Sequence, residues 1–308
     1  MTDTVGSPLL WIGFTAFVLL MLALDLGVFH RDAHEVKPRE AVLWTCIWIA
    51  LALVFDAGIY HWYGPKKGLE FLTGYLIEKA LSIDNIFVFL VIFSYFGVQP
   101  RMQHRVLFWG ILGALVMRAA FIFAGAAMLE RFHWTIFVFG IFLIFTGIKV
   151  LSHSETDVHP ERNIILRLMR RIMPVADSDQ SGRFIVKQGD RMMITPLLLV
   201  LAVVETTDLV FAVDSIPAIF AVSRDPFIVY TSNIFAILGL RALFFLLSGV
   251  MRQFVYLHVG LGLVLAFVGV KMMINEWIHV PIVLSLGVIV ILLGGSVLVS
   301  WLRPPKKE

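Results

Sequence analysis

One cysteine, Cys46, is present, and it lies in an apolar run, so the chain can build no internal disulfide framework. Charge is scarce too: 15% of the 308 residues are Asp, Glu, Lys or Arg, against 59% hydrophobic. Together with a mean hydropathy of +0.88, that balance excludes an ordinary soluble globule. No P-loop, dinucleotide fingerprint or nucleophile–base arrangement is found, which argues against an enzyme and against pumping powered directly by ATP in this chain. The leader Met1–Pro8 has no Lys or Arg, so the run that follows is expected to be a retained helix rather than a cleaved signal. The net charge of +3 does not point to nucleic acid, because the basic residues fall in loops between apolar runs.

Those runs are the chief feature present. Apolar stretches at about 9–29, 41–60, 69–96, 106–128, 134–151, 195–221, 227–249, 255–275 and 280–301 predict an all-α polytopic membrane protein with about nine transmembrane helices. Lys and Arg crowd alternate loops, from Arg31–Arg39 and Arg101–Arg105 through Arg162–Arg191 and Arg252 to Arg303–Lys307. The opposite loops hold only Lys66, Lys67, Arg131 and Arg224. Positive-inside bias therefore predicts a cytoplasmic (inner) membrane protein with its N-terminus outside and its C-terminus in the cytoplasm. Within the long cytoplasmic connection, 163–173 is read as an interfacial amphipathic helix and 182–194 as a β-hairpin turning at Gly189–Asp190. Asp177–Gly182 resembles the start of an EF-hand loop, but Gln188 stands where the closing Glu belongs, so it is read as a turn.

Acids interrupt two of the runs. Glu78, Asp84 and Asn85 have the same spacing as Asp208, Asp214 and Ser215. Carboxylates at bilayer depth cost several kcal/mol unless paired, protonated or bound to a cation, so they mark a functional site by default. On an ideal helix Glu78 shares a face with Asn85, and Asp208 with Ser215, whereas Asp84 and Asp214 point about 120° away. Convergence then needs a local break or a cavity, and Pro217 is expected to supply a kink beside Asp214.

With Glu205, the set Glu78, Asp84, Asn85, Glu205, Asp208, Asp214 and Ser215 offers only oxygen ligands, which suit Mn²⁺, Mg²⁺ or Ca²⁺. Metal binding coupled to proton release is a reasonable extension. The competing reading is that the acids pair with Arg118, Arg241 and Lys79 and merely lock helices together. Lys149 and Lys271 are expected to snorkel, Asp25 to pair with Arg31, and Asp56 to be structural. His30, His34 and His61 border the membrane.

A repeat accompanies the acids. Gly140–Lys149 parallels Gly262–Lys271, and Arg118-Ala-Ala-Phe parallels Arg241-Ala-Leu-Phe. The implied layout is two N-terminal helices (1–68), a three-helix unit (69–151), a cytoplasmic loop (152–194), an inverted copy of the unit (195–275), and a last helix with a basic tail (276–308). Inverted repeats are a transporter architecture with the site near the midplane.

These motifs resemble the TerC family of integral membrane proteins, and in particular its Alx-like members. The matching pieces include Leu24–Arg31, Glu70–Phe89, Thr195–Leu197, Glu205–Ala218 and Thr231–Leu243. The resemblance implies that Glu78, Asp84, Glu205, Asp208 and Asp214 form an acidic pathway exporting Mn²⁺, with Asn85 and Ser215 beside it. No cofactor is expected beyond the transported divalent cation. The lipid bilayer, membrane-protein partners or a homo-oligomer are the other associations implied. The alternative function is a scaffold that aids insertion or metallation of secreted proteins.

Overall fold

The computed structural model describes residues 4–27, 38–132, 134–152, 164–176, 182–188, 191–248, 256–274, 277–278 and 280–302. Within these, the side chains of Asp25 and Asp84 are outside the description, as are residues His30, Arg31, His34 and Asp177–Ser181. Each apolar stretch forms a helix: α1 (Pro8–Gly27), α2 (Pro38–Tyr63), α3 (Pro65–Tyr95), α4 (Pro100–Arg131), α5 (Thr135–Ser152), α7 (Pro196–Phe220), the pair α8 (Pro226–Leu238) and α9 (Leu240–Leu247), α10 (Leu257–Ile274) and α11 (Ile282–Leu302). Proline opens several of them, where its fixed φ suits the first turn and its missing N–H costs nothing. The turn from α2 into α3 uses Gly64 at φ 90°, a conformation glycine adopts without penalty.

Fewer helices qualify as spans than the nine expected. By length and composition, 6 of the described helices can cross a membrane, or 7 if bent α8–α9 counts as one. Helix α1 has too short an apolar stretch, and Glu70, Glu78, Lys79 and Asp84 make α3 too polar. Leu19, Val54, Val116, Phe145, Val210 and Ile291 are all exposed on the outside of the helices, as lipid-facing residues would be. The largest apolar cluster of the interior joins Phe14 of α1, Trp48 of α2, Phe71 and Phe93 of α3, Leu107 of α4, Val203 of α7 and Phe235 of α8, and a second gathers Leu143 of α5, Val264 of α10 and Ile289 of α11.

The amphipathic and alternating segments fold as read. Helix α6 (Ile164–Ile172) buries Leu166, and strands β1 (Ile185–Gln188) and β2 (Arg191–Ile194) pair antiparallel. Thr195 then caps α7, accepting from the Leu198 amide while its hydroxyl donates to the Arg183 carbonyl at 2.8 Å.

Two expectations are corrected. Pro217 does not interrupt α7, because it stands in the last turn, where it removes a single ladder bond. The break falls instead at Gly239, where α8 and α9 meet at 41°. There the Lys79 ammonium of α3 donates to the Ala236 carbonyl at 3.1 Å, so a side chain enters the helical ladder. Lys271 does not snorkel: it is 7% exposed, whereas its repeat counterpart Lys149 is exposed.

Helices α5 and α10 cross with their repeated glycines face to face. A methyl built on Gly140 would lie 3.1 Å from the Gly269 carbonyl, and one on Gly269 2.7 Å from the Gly140 carbonyl. Gly147 and Gly262 repeat the contact at 2.6 and 2.9 Å. Only glycine permits backbones this close.

Candidate functional site

The site lies where α3 and α7 run side by side and α4 and α8 close over them. On α3, Glu78, Ser82 and Asn85 form one buried face; on α7, Asp208, Ala212 and Ser215 do the same at the same spacing. Helical period alone aligns such triplets. Into the space between them α4 inserts Arg118, 1% exposed.

Arg118 pairs with Glu78, and its Nη2 donates to Asp208 Oδ1 at 3.4 Å. Its Nη1 also reaches Ser215 Oγ at 3.4 Å and Asn233 Oδ1 at 3.3 Å. The Asn233 amide, from α8, donates to Glu78 Oε2 at 3.1 Å. One guanidinium thus faces two carboxylates, leaving a net negative charge if both are ionised. Asp208 Oδ2 and Arg118 Nε are buried with no hydrogen-bond partner among the described residues. Breaking a buried pair by removing one member costs about 3–5 kcal/mol, so these groups hold one another in place.

Asp214 points off this face, as its spacing predicted. It lines a neighbouring cavity of about 50 Å³ together with Asn85, Thr146, Ser215 and Leu261. That is room for a water or two at about 30 Å³ each in the liquid. Thr146 Oγ1 of α5 approaches Asp214 Oδ1 at 3.5 Å. Ser215 belongs to both places, touching Arg118 and lining the cavity.

Of the seven residues read from the sequence, Glu78, Asp208 and Ser215 meet at Arg118, while Asn85, Asp214 and Ser215 meet at the cavity. Glu205 contacts neither Arg118 nor the cavity: its carboxylate lies against Gly113 of α4, in space that any larger residue there would fill, though it brings a like charge near Asp208. Asp84 sits in α3 between these residues, its side chain outside the description. Among the described residues, no three His, Cys, Asp or Glu come together as a metal cluster. Sequence reasoning missed Asn233 and Thr146. An amide standing alone in the apolar α8 was the available signal for Asn233; Thr146 gave none, since a Thr that bonds its own helix backbone is common in such helices.

The integral membrane protein TerC family matches residues 63–308. The uncharacterized membrane protein STKORF319 of Myxococcus xanthus is 56% identical over 97% of this chain and 94% of its own length. "Putative membrane-bound redox modulator Alx" of Salmonella typhi is 47% identical over 93% of this chain and 92% of its own. Its namesake in Escherichia coli K12 is 45% identical over 98% and 97%. No solved structure matches the chain.

Proposed function

The chain belongs to the TerC family of integral membrane proteins, and from that premise we propose that it exports a divalent cation, with Mn²⁺ the favoured cargo, out of the cytoplasm across the inner membrane. The observation that carries this reading is the buried meeting of Glu78 and Asp208 on Arg118, with Asp208 Oδ2 left over and, next door, a mostly apolar cavity into which Asn85, Thr146, Asp214 and Ser215 project. An unsatisfied anionic oxygen in an apolar interior favours a cation or a proton. Asn85, Asp214, Ser215 and Thr146 supply hard oxygen donors for a partly dehydrated ion. Arg118 is the resident counter-charge that an arriving ion would share or displace, and a proton on Asp208 or Glu78 would serve the return step.

We read the two halves as inverted repeats within nine crossings, N-terminus outside. In support, α3 packs on α8 as α7 packs on α4. The glycine pairs of α5 and α10 also exchange places under the same two-fold operation.

Cellular manganese and metal efflux, measured in cells making wild type or Asp208→Asn, test the export reading. Efflux should disappear in the variant while folded protein remains in the membrane. Equal efflux from both would refute it.

A second reading, a scaffold for insertion or metallation of secreted proteins, draws on the same ion pair, since Arg118 with Glu78 and Asp208 also suffices to lock helices. In that case the Asp208→Asn variant would retain efflux-independent phenotypes and lose none of its partners. The "redox modulator" in the relatives' name finds no internal dithiol in this chain, whose sole cysteine is Cys46.

A further inference from the structure

At the end of the bundle where α3, α5 and α11 begin and α7 and α10 finish, a second cavity of about 640 Å³ opens, more than ten times the volume of the one beside Asp214. Its walls carry Lys66, Lys67, Arg224 and Lys271, against two carboxylates, Glu70 and Asp225.

Both carboxylates are already occupied. Glu70 Oε2 accepts from Ser223 Oγ at 2.6 Å and from Lys67 at 3.3 Å. Asp225 accepts from Thr4 Oγ1, the Val5 amide and the Phe227 amide, and pairs with Lys67 at 3.1 Å. Lys67 thus contacts both acids, and the four cations of the lining outnumber them by two. Lys66, Arg224 and Lys271 are left without a hydrogen-bonded acid among the described residues. Lys271 is the telling one: an ammonium on a residue only 7% exposed, lining the cavity with no hydrogen-bond partner among the described residues. Glu70 across the cavity is the acid whose charge it feels, but Glu70 is already bonded to Lys67 and Ser223, so an anion entering the cavity would add a partner of Lys271's own.

Helix geometry adds to the positive field. Ile282 in the first turn of α11, Ile136 in that of α5 and Lys66 in that of α3 all line the space, so the positive dipole ends of three helices lie beside it. Apolar residues, Phe220, Val222 and Met272 among them, complete the lining. Lined by more cations than acids, together with apolar side chains, the cavity matches a phosphate group, free or carried on a lipid.

We infer that this cavity is a binding site for a phosphate-class anion, anchored by Lys271 and closed by Lys66 and Arg224. The inference does not depend on what passes Arg118, since none of its residues belongs to that centre.

The test uses the purified full-length chain in neutral-detergent micelles. Inorganic phosphate is titrated in one arm, and phosphatidylglycerol against phosphatidylcholine in mixed micelles in another, with thermal stability and native mass spectrometry as readouts. Saturable binding of phosphate, of phosphatidylglycerol over phosphatidylcholine, or of both is expected. Phosphatidylglycerol alone assigns the site to lipid, phosphate alone to a free anion, and both to the shared group. Lys271→Gln should weaken binding about tenfold, the loss of one charge-assisted hydrogen bond. Lys271→Arg should retain it, and Lys187→Gln on the exposed hairpin should leave it unchanged. Should Lys271→Gln fail to accumulate, the exposed pair Lys66→Gln with Arg224→Gln carries the same expectation. Binding of neither anion by wild type, or undiminished binding by the charge-removing variants, overturns the inference.

Discussion

The amide of Asn233 on α8 donates to Oε2 of Glu78 on α3 at 3.1 Å, across 155 residues of chain. That bond fixes the carboxylate's rotation, so that its other oxygen meets Arg118. Asn233→Leu would leave Glu78 Oε2 buried and unsatisfied, at about 1–3 kcal/mol. The expected result is lower thermal stability in micelles together with impaired metal efflux. Asn233→Asp should be worse on both counts, because it brings a like charge to Glu78.

Arg118→Gln removes the only cation hydrogen-bonded to Glu78 and Asp208 among the described residues, and should cost about 3–5 kcal/mol as two buried carboxylates lose their partner. Membrane accumulation, followed by fluorescence-detection chromatography, should fall sharply. Adding Glu78→Gln and Asp208→Asn to the same chain removes the stranded charges, so folding should recover. Efflux should not. Recovery of both would assign the cluster to helix locking alone.

Asp214 makes a different prediction, since it lies outside the Arg118 cluster and is half-buried at the small cavity. Asp214→Asn keeps the side-chain volume and an oxygen for Thr146 to approach, so thermal stability should fall by less than in Arg118→Gln. Efflux measured with the manganese isotope should nonetheless be lost. Normal efflux in a stable Asp214→Asn protein would take the cavity out of the pathway.

The glycine crossing can be tested by overpacking. Gly147→Val would press a branched side chain onto the Gly262 carbonyl and the Ala266 backbone, where even a methyl sits 2.6 to 3.2 Å away. A cost of about 1–3 kcal/mol is expected, read as a fall in melting temperature. Gly287→Ala in α11, where a methyl meets nothing within 4 Å, is the matched control and should be silent.

Long apolar runs leave few options for the backbone, so every expected helix was legible from composition alone, and alternation around Gly189–Asp190 was enough for the hairpin. That Glu78 and Asp208 hold equivalent places on their helices was legible too, through two matched spacings. What escaped depends on contacts between distant segments. The α8–α9 bend rests on Lys79 reaching the Ala236 carbonyl, a relationship that no local signal announces. Pro217 was a louder signal in the wrong place, because a proline so close to a helix end breaks little. The burial of Lys271 was likewise hidden: its position at the end of a helix resembles that of Lys149, and only packing against α3 and α11 tells them apart.

Where α5 and α10 meet at Gly140–Gly269 and Gly147–Gly262, backbone lies against backbone, with Ile144, Leu151 and Met273 filling the space beside it. The two halves of the chain are therefore joined at their tightest by main chain, and a side chain added at any of these four glycines would push them apart.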